Sequence, residues 1–298
     1  MRCLILAVAA ATGLYALPAA GRDIFVNNRA GDDHFDGRFA TQGGSAGPVQ
    51  SLAKALRLAD SGDRIIVANT GVPYHESVSL SGPRHSGFSF KPLVIDGNGA
   101  TLDGSAPAGG WRSAGGNVFR MRPTHMAFGM LFLQGQPLAR VAATPAEEMP
   151  PLLKPLEWTL HDGWIYFCVE PGRLPQQYSL SYAQLQVGLT LYKVEQLVIT
   201  NLVVQGFELD GINCQDVGSG TTLDHITARW NGRSGIAVCG ASHATLDGCL
   251  VEGNGQSQLH IEGPSVTSAV GCELIPKSAP NWLIHGGRLL IDGREVGE

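Results

Sequence analysis

The sequence predicts a parallel β-helix, through a repeat, a strand pattern and a turn column. Between Leu189 and Leu274 one apolar register places Leu202, Ile226, Cys249 and Cys272 at spacings of 24, 23 and 23 residues. A second, Ile199, Leu223, Leu246 and Ala269, runs at the same intervals, and a third, Leu189, Ile212, Ile236 and Leu259, at 23, 24 and 23. Each unit holds short strand-like runs, as in Val198 to Thr200, Leu202 to Val204 and Ile212 to Cys214, bounded by Gly, Asn or Asp. The corner between the first two runs is occupied by Asn201, His225, Gly248 and Gly271, types that enter the left-handed conformation at low cost. Three short strands per ~23 residues with no helix select a β-helix, whose coils stack ~4.8 Å apart. A leucine-rich repeat would show L-x-x-L-x-L and a propeller blade a repeat of about 40 residues; neither pattern is present.

The runs Glu208-Leu-Asp-Gly-Ile-Asn213, Arg233-Ser-Gly-Ile-Ala237 and Thr245-Leu-Asp-Gly-Cys249 resemble the coils of secreted right-handed β-helix proteins of the pectin-lyase-like superfamily. The resemblance covers most of the mature chain. It implies a right-handed coil of three strands, and a polysaccharide cleft on the outer face of the sheet that carries the Gly-Ile step. It does not select a reaction, because many chemistries and some non-catalytic proteins share such coils.

From the amino terminus, Met1-Arg-Cys-Leu-Ile-Leu-Ala-Val-Ala-Ala-Ala carries one charge, stays apolar to about Leu17 and ends in Ala19-Ala20-Gly21. This is the pattern of a secretory signal peptide over residues 1–20, too short in its apolar run for a ~20-residue membrane span. No other stretch is apolar enough to span. Of the 298 residues, 39 are glycine, 16% are charged, and the net charge is −5. Such a chain is a compact, glycine-turned all-β protein without the basic stripe that nucleic acid or an anionic membrane requires. A secreted monomer that engages a glycan is the expectation.

Residues 21–110 read as an N-terminal cap and the first coils. Ile24 to Val26 and Gly62 to Val67 are strands, and Gln50 to Ala59 is a short amphipathic helix with Leu52 and Leu56 on one face. The resemblance makes this helix the cap that keeps the first coil from exposing the core, as repeat arrays need. In the loop Gly31 to Gly37, Asp32, Asp33 and Asp36 offer oxygen ligands to Ca²⁺, with a polar turn as the plainer reading. Pro92 to Gly104 resembles an early coil with Asp-Gly turns.

Periodicity is lost over 111–182. Met130 to Leu138 and Trp158 to Phe167 read as hairpins, the latter around Asp162-Gly163, so the interval is an inserted antiparallel β subdomain, with Pro145 to Pro155 as loop. Trp158, Trp164 and Tyr166 are of the type that stacks on sugars, although packing into a core is the commoner use of hairpin aromatics. The repeat resumes over 183–275, and residues 276–298 supply two closing strands, Ala279 to Ile284 and Arg288 to Val296.

Five cysteines remain after the signal: Cys168, Cys214, Cys239, Cys249 and Cys272. Cys249 and Cys272 share a column on adjacent coils. Parallel stacking holds their β-carbons near ~4.8 Å, long for a bridge, so stacked thiols are expected; there is no C-x-x-C pair for zinc.

Alternation sorts the faces of the Gly-Ile sheet. Leu189, Ile212, Ile236, Leu259, Leu191, Cys214, Val238 and Ile261 point inward. Thr190, Asn213, Ala237 and His260 form one outward column; Tyr192, Gln215, Cys239 and Glu262 form the next. The turns leading in add Glu208 and Asp210, Arg233, and Gln256. For a hydrolase, Asp210 and Glu262 stand two coils apart, roughly 9 to 10 Å, near the upper end for an inverting pair. For a lyase, His260 or Tyr192 takes the proton beside a uronate carboxylate and Arg233 neutralises that carboxylate. Tyr192, Asn213, Gln215 and Glu208 are the candidate substrate contacts.

Polygalacturonases of this fold carry Asn-Thr-Asp, Asp-Asp, Gly-His-Gly and Arg-Ile-Lys stations. Only Asp210-Gly-Ile212 echoes the first, and the Asp-Pro-His-Asp of alginate epimerases is absent from the repeat. Two readings follow: a secreted polysaccharide lyase or glycoside hydrolase acting along this sheet, and a non-catalytic β-helix that binds glycans or serves the cell envelope.

Overall fold

Alternation along each strand drives one set of side chains into a single continuous core, and that core runs the length of the coil. Leu189, Ile212, Ile236 and Leu259 stack in one buried column, Ile199, Leu223, Leu246 and Ala269 in a second, and Leu202, Ile226 and Cys249 in a third. Burial of each large member contributes roughly 1.5–3 kcal/mol, so a coil holds only by stacking on its neighbours. The computed structural model describes residues 21–125, 127–143, 149–277 and 279–297. The signal-peptide reading of residues 1–20, and part of the loop expected over Pro145 to Pro155, lie outside the described residues.

Among the described residues, three sheets line the coil. The first has six parallel strands: Val78–Ser81, Leu189–Tyr192, Asp210–Gln215, Ser234–Val238, Ser257–Glu262 and Trp282–His285. The second has nine, from Asp23–Val26 to Arg294–Val296, and the third five, from Thr101–Asp103 to Glu273–Ile275. The register is the one the repeat specifies, with Leu189 opposite Ile212, Ile236 opposite Leu259, and Leu223 opposite Leu246. The chain is a right-handed parallel β-helix. Its corner column is left-handed throughout, with φ of 53° at Asn201, 49° at His225, 57° at Gly248 and 58° at Gly271.

The helix Leu52–Leu58 covers the first coil through Leu52, Ala55 and Leu56. Ser51 caps it by accepting from Lys54 N at 3.0 Å, and the half-buried Glu76 accepts from Leu52 N and Ala53 N, both at 2.9 Å. At the other end, Arg288–Ile291 extends the second sheet and Arg294–Val296 folds back antiparallel upon it.

The insert opens at Ser105–Pro107 and closes at Leu180–Ala183, which pair antiparallel. Trp158–His161 and Trp164–Cys168 form the expected hairpin, as do Leu131–Leu133 and Gln136–Pro137. Trp158 is wholly buried and Tyr166 nearly so, while Arg120 lies over the Trp164 ring at 4.6 Å. Trp158 and Tyr166 therefore pack within the subdomain, and Trp164 is half-buried. Met130, Phe132 and Ala183 of the insert pack with Trp230 of the coil.

A second ladder was not anticipated. Asn231 and Asn254 are buried inside the turn that enters the first sheet, where Asn231 Oδ1 accepts from Phe207 N and Asn254 Oδ1 accepts from Asn231 N. The amides satisfy backbone groups that a buried turn would otherwise orphan.

Candidate functional site

The two outward columns of the first sheet meet different surroundings. The column of Tyr192, Gln215, Cys239 and Glu262 borders a groove of about 420 Å³, which Asn213, Asp216, Arg233, Gly240 and Gly263 also line. In the neighbouring column, alternation predicts solvated side chains, yet Asn213, Ala237 and His260 are buried. The strand entries fold across them: Asn213 Nδ2 donates to Asp210 Oδ2 at 2.8 Å, and Ala237 is too short to emerge.

Asp210 departs furthest from its expected role as one of two catalytic carboxylates. It is fully buried, and both its oxygens are saturated. Oδ1 accepts from Arg233 Nε at 2.9 Å and from the Ser234 hydroxyl at 2.6 Å; Oδ2 accepts from Asn213 Nδ2 and from Arg233 Nη2. A carboxylate with no lone pair facing the groove cannot hand a proton to a bound sugar. What it does is clamp the Arg233 guanidinium in one plane, and that hydrogen bonding raises the guanidinium's affinity for its proton. Nη1 lies outside the bidentate pair, and the side chain is 22% exposed.

Glu208 is likewise sealed, although it was expected to touch substrate. It is buried, and its Oε1 accepts from Phe128 N at 2.7 Å, which ties the insert to the turn leading into the first sheet. The expected Ca²⁺ ligands do not converge either. Asp32 turns to His34, Asp36 pairs with Arg38, and Asp33 accepts from Gln50 N, Ser51 N and the Ser51 hydroxyl at the helix start. Among the described residues no group of three or more His, Cys, Asp or Glu could hold a metal ion.

Glu262 is where groove and chemistry meet. Its side chain is 56% exposed, and His260 Nε2 lies 3.3 Å from Oε2. A carboxylate only accepts, so Nε2 donates in this contact and Nδ1 is the ring's other nitrogen. That Nδ1, like Asn213 Oδ1, is buried without a protein partner. The Cys239 thiol also points to Oε2, at 3.9 Å; burial, with the charge of Glu262, pushes its pKa up to about 11, so it stays a thiol at neutral pH.

Arg233, Glu262, His260, Tyr192, Asn213 and Gln215 thus gather at one groove, with Asp210 beneath it and Glu208 outside it. Two further groups complete the surface. His285 stands opposite Glu262 on the next strand, its ring 5.6 Å from that of His260. Asp216 pairs with Lys193 at 3.1 Å, and this hydrogen-bonded partner holds its carboxyl below the usual range. His285 follows Glu262 by 23 residues, the spacing of the repeat, so it was visible as a continuation of that column.

No family model matches the chain, and no curated protein matches it in sequence. Among solved structures, a protein described as a glycoside hydrolase superposes with a TM-score of 0.61 at 12% identity, over 85% of this chain and 73% of that one. XylC in complex with xylose gives 0.44 at 12% identity over 90% and 69%, and pectate lyase Pel9A gives 0.44 at 12% over 85% and 54%. The first likeness is one of fold. No residue role transfers at such identity.

Proposed function

From a right-handed β-helix fold of the pectin-lyase-like kind with a polar groove on its first sheet, we propose that this chain is a secreted, carbohydrate-active protein that cleaves an acidic polysaccharide by β-elimination. The observation that carries the reading is Arg233, clamped by a sealed Asp210 beside the exposed Glu262. Arg233 pairs with the uronate carboxylate and lowers the cost of charge building on it. Glu262, oriented by His260, removes the proton on the adjacent carbon; the glycosidic C–O bond breaks, a C=C bond forms in the ring, and the leaving oxygen takes a proton. Tyr192, Asn213 and Gln215 hold the sugars on the coils that precede this pair.

Hydrolysis is the second reading, and Asp216 supports it. It lines the same groove two coils from Glu262, about 10 Å by strand spacing, at the edge of the range for an inverting pair. Secreted mature protein incubated with polygalacturonate, alginate and xylan separates the readings. Reducing ends together with ultraviolet absorbance of an unsaturated uronate mean elimination; reducing ends alone mean hydrolysis. Binding without either is the mark of a non-catalytic glycan binder. Glu262→Gln is expected to lower turnover by at least about 100-fold, the low end for loss of a general base, with unfolding unchanged. Full activity in that variant would remove Glu262 from the mechanism.

A further inference from the structure

The groove does not end at Tyr192. One coil earlier, the first-sheet strand Val78–Ser81 leads into a tight turn in which Phe88 N donates to Lys91 O at 2.8 Å and Lys91 N returns the bond at 2.9 Å. The turn throws two aromatic rings outward. Phe88 and Phe90 stack with centroids 5.6 Å apart and only 13° between their planes, yet they are 50% and 77% exposed. The segment is anchored: Gly87 N donates to Glu195 O at 2.9 Å, and Glu195 N donates to the Ser86 hydroxyl at 3.0 Å. Beside it lies a hollow of about 510 Å³ lined by Ser61, Ser86, Phe88, Lys193 and Glu195.

This hollow adjoins the groove at one ion pair. Lys193 lines the hollow and Asp216 lines the groove, and the two meet at 3.1 Å, with the ammonium 5.2 Å from the centre of the Tyr192 ring. From Glu262 to Tyr192 is three coils, and Ser81 pairs with Tyr192 one coil further. The path therefore extends for about 19 Å along the coil axis at ~4.8 Å per step.

We propose that Phe88 and Phe90 form a distal subsite that stacks on a pyranose ring of the same glycan strand that occupies the Arg233–Glu262 groove. The inference rests on the glycan reading of that groove and adds to it a place where the chain is held away from the reacting bond. A sugar presents an apolar face of C–H bonds and a rim of hydroxyls. The hollow matches both, with an aromatic shelf for the face and Ser61, Ser86, Lys193 and Glu195 for the rim. A lipid tail or an apolar protein helix would match the rings and not this polar rim.

The test uses binding, so that turnover does not blur it. Glu262→Gln protein, with and without Phe88→Ala and Phe90→Ala, is titrated by calorimetry with polygalacturonate, alginate and xylan, each as polymer and as disaccharide. The disaccharide is too short to reach both sites. The ratio of polymer to disaccharide affinity is expected to fall roughly tenfold on removing the rings, the order of a buried aromatic contact of about 1.4 kcal/mol. An unchanged ratio in a protein that still binds polymer overturns the subsite and leaves the groove reading intact. Loss of every interaction already in the protein with both rings overturns the groove reading and the subsite with it. If sedimentation shows that removing the rings converts a dimer to a monomer, the patch is a self-association surface and the subsite is wrong.

Discussion

At the scale of single residues, the Asp210–Arg233 pair decides what the groove can do. A buried carboxylate and guanidinium gain from each other roughly what they lose in leaving water, so the pair adds little net stability, but either partner alone is expensive. Asp210→Asn keeps the shape and places an amide N–H₂ among the donors of Asn213 or Arg233. It is expected to cost about 3–5 kcal/mol in urea unfolding, and Asp210→Asn with Arg233→Met less than that, because no unpaired charge is left. Turnover stays lost in both. If the double variant is no more stable than the single one, the pair is not the electrostatic unit described. This contact was only partly open to sequence reasoning: the two residues are 23 apart, but Asp210 shares its column with Ser234 and Arg233 reaches it from one position earlier. Alternation places side chains inside or outside, however, and does not show which group a neighbouring coil will cover, so the burial of Asp210 and Glu208 was not legible.

Among elements, the docking of the insert turns on Trp230. The equivalent corner one coil earlier and one coil later is glycine, and all three are left-handed, with φ of 72° at Gly206, 57° at Trp230 and 62° at Gly253. A bulky residue there is strained by about 1–2 kcal/mol. It is retained by packing: the indole lies over Gly253, where a Cβ would come within 2.9 Å of Cδ1, and reaches Met130 and Phe132 of the insert, with Arg229 stacked 4.1 Å from the ring centre. Two opposed terms make a discriminating prediction. Removing the indole forfeits about 3–5 kcal/mol of packing, and relief of backbone strain returns more of that in Trp230→Gly than in Trp230→Ala. The glycine variant is therefore expected to be the more stable of the two by about 1 kcal/mol in denaturant unfolding. The reverse order would mean that the corner is not strained. The insert's hairpins were legible from Asp162-Gly163 and Gly135, because turn chemistry is local; its contact with Trp230 was not, because nothing periodic links residues 130 and 230.

For the whole molecule, the consequence of coil stacking is that length is modular in steps of one coil and not otherwise. Most of the fold was visible in the repeat because each coil meets only its neighbours, so a single spacing determines register, core and sheet at once. The same property can be tested by deletion. Ser234 pairs with Ser257, 23 residues on, and removing residues 234–256 joins Arg233 directly to Ser257. The strand Ser257–Glu262 then stacks on Asp210–Gln215, inward Leu259 and Ile261 meet Ile212 and Cys214, and a serine hydroxyl again stands beside Asp210. The shortened chain is expected to keep its β circular dichroism and a single cooperative unfolding transition at a lower midpoint. Removing residues 234–245 instead sets the remainder of a second-sheet strand against the first sheet and is expected to abolish folding. In the full-coil deletion Glu262 moves one coil closer to Gln215, about 4.8 Å, so the groove loses Cys239 and shortens while Tyr192, Asn213, Gln215, Arg233 and Glu262 survive. Folding with lost turnover would show that coil spacing sets the reaction geometry; failure to fold would mean that the coils are not independent units of this core.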